Sequence, residues 1–297
     1  MHWFFSLNSF LQVITNGVFL GCMYGVAAIG LSLIFGCMQI IFIAQGSVMI
    51  LAAYCVFYMV TLTPVPAFWG FLFIIPVFFI FGYAMYTGLF RRVAKTGQNP
   101  SLLLAFGLMV LLERVMALVF SNDYRTVATK FSTTAIELSG VTFSVNRIIV
   151  AVAAMIAATF VFIFLKKTIL GKAVRGVSID MEAASLLGIN PTWVSSITFS
   201  IGIALAGFAG VASSIIYPFD PYFGFIFSLK ALIAVAFGGL GSVGGALLGG
   251  ILLGVLESSS AYLISGGWAD AVAYAAFMIV LIFRPEGLLG RRTDKKA

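Results

Sequence analysis

Long stretches of unbroken apolar sequence, each near the length of a membrane-crossing helix, alternate along this chain with short polar joints. About 20 apolar residues are needed to cross roughly 30 Å of hydrocarbon as a helix. On that rule the runs predict spans at 10–37, 41–62, 67–90, 101–120, 148–165, 195–217, 225–239, 246–264 and 270–284. They do not alternate residue by residue in short segments, which excludes an outer-membrane barrel. A closed helical bundle is the remaining way to pair backbone polar groups in lipid. The predicted fold is all-α, a polytopic transmembrane bundle of about 8–9 spans, with residues 1–297 forming one membrane domain. The first two runs and the short seventh are where a broken or re-entrant helix fits.

Two polar segments interrupt this pattern. Residues 121–147, with Thr, Ser and both charge signs, predict a small external cap. Residues 166–196 read KKTILGKAVRGVSIDMEAASLLGINPTWVSS and form a polar island between apolar runs. Within it Met181 to Gly188 predicts a short helix, with Gly188 as its stop and Pro191 preventing simple continuation.

Composition agrees with the pattern. Hydrophobic residues make up 62% of the chain and charged residues only 9%, with a mean hydropathy of +1.12, whereas soluble domains carry about 25% charged residues. The net charge of +7 matters through its placement. Twelve of the 17 Lys and Arg fall in three places: Arg91, Arg92 and Lys95; Lys166, Lys167, Lys172 and Arg175; and Arg284, Arg291, Arg292, Lys295 and Lys296. The positive-inside rule makes these three places cytoplasmic. Nine crossings then leave the N-terminus outside and the C-terminus in the cytoplasm. The N-terminus lacks a basic n-region and a small-residue cleavage site, so the first run is read as a retained span.

Much chemistry is excluded. His2 is the single histidine, so neither a histidine-based triad nor a multi-histidine metal site is available. Cys22, Cys37 and Cys55 lack metal-ligand spacing and read as small core residues. Gly239, Gly241 and Gly244 match GxGxxG, but a dinucleotide site needs a preceding strand within a βαβ unit, and both flanks here are membrane runs. A tight turn or broken helix between spans seven and eight fits them better. No phosphate-binding P-loop occurs, because Gly171 and Lys172 are followed by Ala173. The chain is thus read as a non-enzyme with no catalytic, cofactor or metal site of its own.

Candidate functional positions follow from polarity inside apolar runs. Gly17, Gly21 and Gly25 line one face of span one, and Gly245, Gly249, Gly250 and Gly254 line one face of span eight. Small residues so spaced let helices approach closely in lipid. Gln39, Gln45 and Ser47 make a polar patch at the start of span two. Glu113 and Arg114 lie about 18 Å into span four at 1.5 Å per residue. Lys230 and Glu257 fall at a similar depth on either side of the glycine-rich turn. Buried charges are costly in a bilayer and face protein or water. These four are expected to form one neutral network, two acids with two bases. Such a network either braces spans four, seven and eight or touches the charged ends of an amino acid.

Several stretches carry a family resemblance. Glu182, Ala183 and Ala184, followed three residues later by Gly188, resemble the cytoplasmic coupling loop of ABC importer permeases. ASLLGIN, residues 184–190, resembles the version found in branched-chain amino acid permeases, as do NGVFLGCMYGVAAIGLSLIFG at 16–36, FGGLGSVGGALLGGILLG at 237–254 and the tail RPEGLLGRRTDKKA. Span two departs from that family: its Asn, His and acid are replaced by Phe42, Gln45 and Ser47, while Gly46 and the register survive. A Gln still donates and accepts hydrogen bonds but carries no charge.

The resemblance implies a permease subunit of an ABC importer for branched-chain or other small hydrophobic amino acids in a bacterial inner membrane. It implies that Asp180, Met181, Glu182, Ala183, Ala184, Ser185, Leu186, Leu187 and Gly188 contact a separate ATPase, which holds ATP and Mg. A second permease chain, identical or related, and an extracytoplasmic binding protein complete the assembly. Asn16, Gln45, Gly46, Ser47, Gly239, Gly241 and Gly244 are the candidate pathway positions. The alternative from another class is a self-contained, ion-coupled transporter or channel for a small polar solute such as urea or a short amide, with the buried charges as the ion path.

Overall fold

The computed structural model describes residues 7–94, 97–132, 134–138, 141–284 and 287. The distal basic tail and Lys95 therefore lie outside the described residues. Helices dominate. In chain order they are α1 (Leu7–Met38), α2 (Gln45–Leu62), α3 (Gly70–Met85), α4 (Arg91–Val93), α5 (Gln98–Phe120), α6 (Val145–Lys167), α7 (Ile169–Ile179), α8 (Met181–Leu186), α9 (Pro191–Ile216), α10 (Gly224–Gly238), α11 (Val243–Leu263) and α12 (Ala269–Phe283). Among the described residues, seven helices are long and apolar enough to cross a bilayer, and Gly224–Gly238 and Gly266–Val280 are shorter apolar helices. The nine expected runs all appear as helices, two of them shorter than a full crossing.

The centre of the bundle is set by side-chain size. Helices α1 and α9 are the most enclosed: 89% of the apolar window of α9 is buried, against 22% for α5. Their small residues explain this. Gly17, Gly21 and Gly25 face α11 so closely that a Cβ on Gly21 would lie 2.5 Å from Ile251 Cα, and one on Gly17 2.7 Å from Val255 Cα. Gly250 and Gly254 return the contact from α11 against Gly25, Gly21 and Gly17. Close backbone approach of this kind replaces the hydrophobic drive that lipid removes. Helices α3, α5 and α6, rich in Phe, Leu and Ile, form the periphery and leave large apolar side chains exposed.

The joint between α1 and α2 is not a surface loop. Gln39 takes a positive φ of 53° after α1 ends, and α2 starts at a fully buried Gln45. Gln45 Nε2 donates to the carbonyl of Ala27 at 2.6 Å, and Ala27 sits 11 residues before the end of α1, about 16 Å along the helix. The chain therefore re-enters the bundle unwound before α2 begins, four residues later than the sequence pattern implies. Phe42, within this segment, is fully buried. It packs its ring against Phe90 and Phe199 at centroid distances of 5.7 and 5.2 Å.

At the opposite end, residues after α5 cross over the bundle. Arg125 and Phe219 exchange two backbone hydrogen bonds of 2.9 Å. A small hairpin follows, β1 (Ala135–Leu138) antiparallel to β2 (Val141–Ser144), with Ala135 opposite Ser144. The hairpin lies within residues 121–147, the segment expected to be an external cap.

Candidate coupling and translocation sites

The polar island folds as two helices. The first, α7, carries Val174 and Val177 on its buried face and Lys172 and Arg175 on its exposed one. Thr168 caps it by accepting from Gly171 N at 2.9 Å. The sequence pattern predicts only the second helix, although Gly171, Val174 and Val177 recur three residues apart and form the buried face of the first. Asp180 closes α7 and opens α8: its Oδ1 accepts from the amides of Glu182 and Ala183, both at 2.9 Å. This satisfies helix-end donors that would otherwise lack partners. Gly188 ends the unit with φ at +82°, where a side chain would be strained. Ile189 N donates back to the Ala184 carbonyl at 3.1 Å.

The outcome is a short, doubly capped helix standing proud of the bundle. Ala184 is its one buried residue. Glu182, Ala183, Ser185 and Gly188 are exposed, as is Met181, and Leu186 and Leu187 are 89% and 82% exposed. Ile179 adds a further exposed apolar side chain beside them. Exposed apolar surface framed by polar residues marks an interaction site.

The candidate pathway residues fall in three places rather than one. Gln45, Gly46 and Ser47 sit at the buried start of α2. Gly46 N donates to Ser228 Oγ at 2.8 Å, which ties α2 to α10. Ser47 Oγ donates to Glu113 Oε1 at 3.4 Å, and Gln45 Oε1 is buried without a hydrogen-bond partner. Asn16 accepts from Arg147 Nη1 at 3.2 Å and lines a polar cleft of about 680 Å³ with residues of the hairpin segment such as Thr126 and Ser144. Gly239 and Gly241, with φ of +92° and +80°, make the turn between α10 and α11, and Gly244 lies beyond it in the first turn of α11.

The buried charges require a correction. Lys230 Nζ does meet Glu257 Oε1, at 2.8 Å. Its other partners are Asp270 Oδ1 at 2.9 Å and Tyr24 OH at 3.2 Å. Glu113 and Arg114 belong to no such network. Glu113 meets Ser47, and Arg114, exposed in this chain, donates to Tyr222 OH at 3.1 Å and lies over its ring. Lys230 and Glu257 do lie level with each other, but Glu113 and Arg114 on α5 make their contacts with Ser47 and Tyr222 instead. The real cluster braces α1, α10, α11 and α12. Asp270 was missed because it opens the last apolar helix, where an acid reads as a helix-start residue.

A family model described as "branched-chain amino acid transport system / permease component" matches residues 13–281. The chain belongs to this permease family. The permease is 31% identical over 304 residues to the high-affinity branched-chain amino acid transport system permease protein BraD of Pseudomonas aeruginosa, covering 98% of this chain and 99% of the relative. It is 31% identical to LivH of Salmonella typhimurium and 30% identical to LivH of Escherichia coli, each over 300 residues and 97% of both chains. LivM of Salmonella typhimurium, also a permease protein, is 30% identical over 149 residues, 48% of this chain and 33% of its own length. No solved structure matches the chain. The permease is a multi-pass membrane protein and a transport-system component, which sets aside the self-contained carrier.

Proposed function

We propose that this permease is the membrane subunit of an ABC importer for branched-chain or other small hydrophobic amino acids. The observation that carries the reading is α8: a helix of six residues, capped at both ends, which presents Leu186 and Leu187 to solvent. Among the described residues, none covers those leucines, which are 89% and 82% exposed. A cleft in a separate ATPase, carrying ATP and Mg, would cover them, and α7 would pass its movement to α1 and α9. The basic residues around α7 support a cytoplasmic location for this end, and hence a cytoplasmic C-terminus. Substrate class is inferred from the names of BraD and LivH. The likeness to both LivH and LivM supports a second permease chain beside this one. An extracytoplasmic binding protein would deliver the ligand over the hairpin end.

The pathway is proposed along α2 and α5, where Gln45, Ser47 and Glu113 cluster in the bundle. Phe42 is excluded from it by its aromatic packing, so the departure from the family pattern at that position changes the core rather than the pathway. The test is the double variant Leu186→Asp with Leu187→Asp. The chain should insert and fold normally, lose copurification of the ATPase, and lose ATP-driven uptake. Undiminished ATPase retention would overturn the coupling assignment.

A further inference from the structure

A second site lies at the same end of the bundle as α7, apart from the Gln45, Ser47 and Glu113 cluster but taking in Gly241 and Gly244 of the candidate pathway positions. A cavity of about 310 Å³ opens between α1, α6, α7 and the start of α11. Its lining includes Lys166 and Arg175, and among the described residues that line it there is no acid. Lys166 on α6 and Arg175 on α7 both line this hollow and are both exposed, so each is free to reach an anion held there. The long helix α11 adds its N-terminus. Ser242 Oγ accepts from Gly245 N at 3.1 Å and Ser242 O from Ala246 N at 2.8 Å. The capping leaves the amides of Val243 and Gly244, and both residues line the cavity. Helix N-termini favour negative charge.

An independent sign of a missing partner comes from α1. Ser32 lines the same cavity, is 1% exposed, and its Oγ has no hydrogen-bond partner. A buried hydroxyl without a partner is rare and marks a place where a ligand or water is expected. A Cβ on Gly244 would meet nothing within 4 Å, so open space lies above the helix start. Leu33, Phe162, Leu165 and Val243 supply an apolar wall beside the polar donors.

We infer that this cavity binds a phosphate group, and that the apolar wall makes its usual source the headgroup of an anionic phospholipid. Lys166, Arg175, Ser32 and the α11 amides would each donate to phosphate oxygens, with an acyl chain along Phe162 and Leu165. Basic pockets between membrane helices bind acidic headgroups in this way. Bound there, the lipid would fasten α7 to α1 and to the α10–α11 turn. The assignment does not depend on which solute the permease carries.

The experiment uses the full chain in nanodiscs of phosphatidylcholine with and without phosphatidylglycerol, followed by native mass spectrometry and thermal unfolding. Phosphatidylglycerol should be retained and should raise the unfolding midpoint. Lys166→Gln with Arg175→Gln should weaken retention about thirtyfold, the factor expected of two basic side chains at an anionic surface. Ser32→Ala should keep or raise the midpoint in phosphatidylcholine while shrinking the shift that phosphatidylglycerol causes. Gly244→Met should block the cavity and abolish the shift. A matched control, Arg91→Gln with Arg92→Gln, removes equal charge elsewhere and should leave retention intact. Inorganic phosphate in phosphatidylcholine discs separates the sources: a shift equal to that of the lipid assigns the cavity to a free anion. No shift with either probe, or equal losses in the control, would overturn the site.

Discussion

At the scale of single residues, the most consequential group is Lys230, whose ammonium is held by Glu257, Asp270 and Tyr24 within 3.2 Å. Removing one member of a buried pair strands its partner, at a cost of about 3–5 kcal/mol, whereas replacing both by apolar residues is often close to neutral. Lys230→Met should therefore lower the thermal midpoint markedly, and Lys230→Met with Glu257→Met should recover most of the loss. Melting curves of the two single variants and the double measure the coupling. A double variant no more stable than Lys230→Met would contradict a pairing role. Asp270 is more exposed than Glu257, so Asp270→Asn should cost less than Glu257→Gln.

At the scale of elements, one helix and one helix pair depend on features of only a few atoms. Asp180 supplies the N-terminal cap of α8, and losing such a cap costs about 0.5–2 kcal/mol. For a helix of six residues that is enough to fray it. Asp180→Ala should speed amide exchange across 181–186 and reduce coupling to ATP hydrolysis, while Asp180→Asn should preserve both. The α1–α11 pair depends instead on absent side chains. Gly21→Leu would drive a side chain into the backbone at Ile251 and Gly250. Overpacking typically costs about 1–3 kcal/mol, and more where backbone cannot retreat, so this variant should yield little folded protein. Gly107, with nothing within 4 Å of a Cβ, lies on peripheral α5 and should accept alanine without loss of yield.

For the whole molecule, the informative surface is the outer face of α5. Leu111 and Leu118 are exposed there as lipid-facing side chains commonly are, yet Arg114 is exposed between them. Among the described residues neither Arg114 nor Glu113 has an ion-pair partner. A charge so deep in a span is stable only against protein or water. This face is therefore expected to meet the second permease chain or an aqueous path. Arg114→Cys, in a background without Cys22, Cys37 and Cys55, should react with a charged, water-soluble thiol reagent. A cysteine at Leu103, exposed on the same helix, should react less if it faces lipid. Equal protection of both positions would contradict an aqueous path along the α5 face.

Much of this protein was legible along one dimension. Apolar run lengths set the helices, basic clusters set the expected sidedness, glycines four residues apart marked the α1 face, and Met181 and Gly188 delimited a short helix. Each depends on neighbours close in sequence, so local physics suffices. What folding in three dimensions added was direction around each helix axis and the choice of neighbours. Depth is read by counting residues, which is why Lys230 and Glu257 were paired correctly. Azimuth depends on which faces pack, which is why Arg114 was wrongly grouped with them and why Asp270, Tyr24 and the hollow of about 310 Å³ beside Ser32 emerged only from the packed bundle.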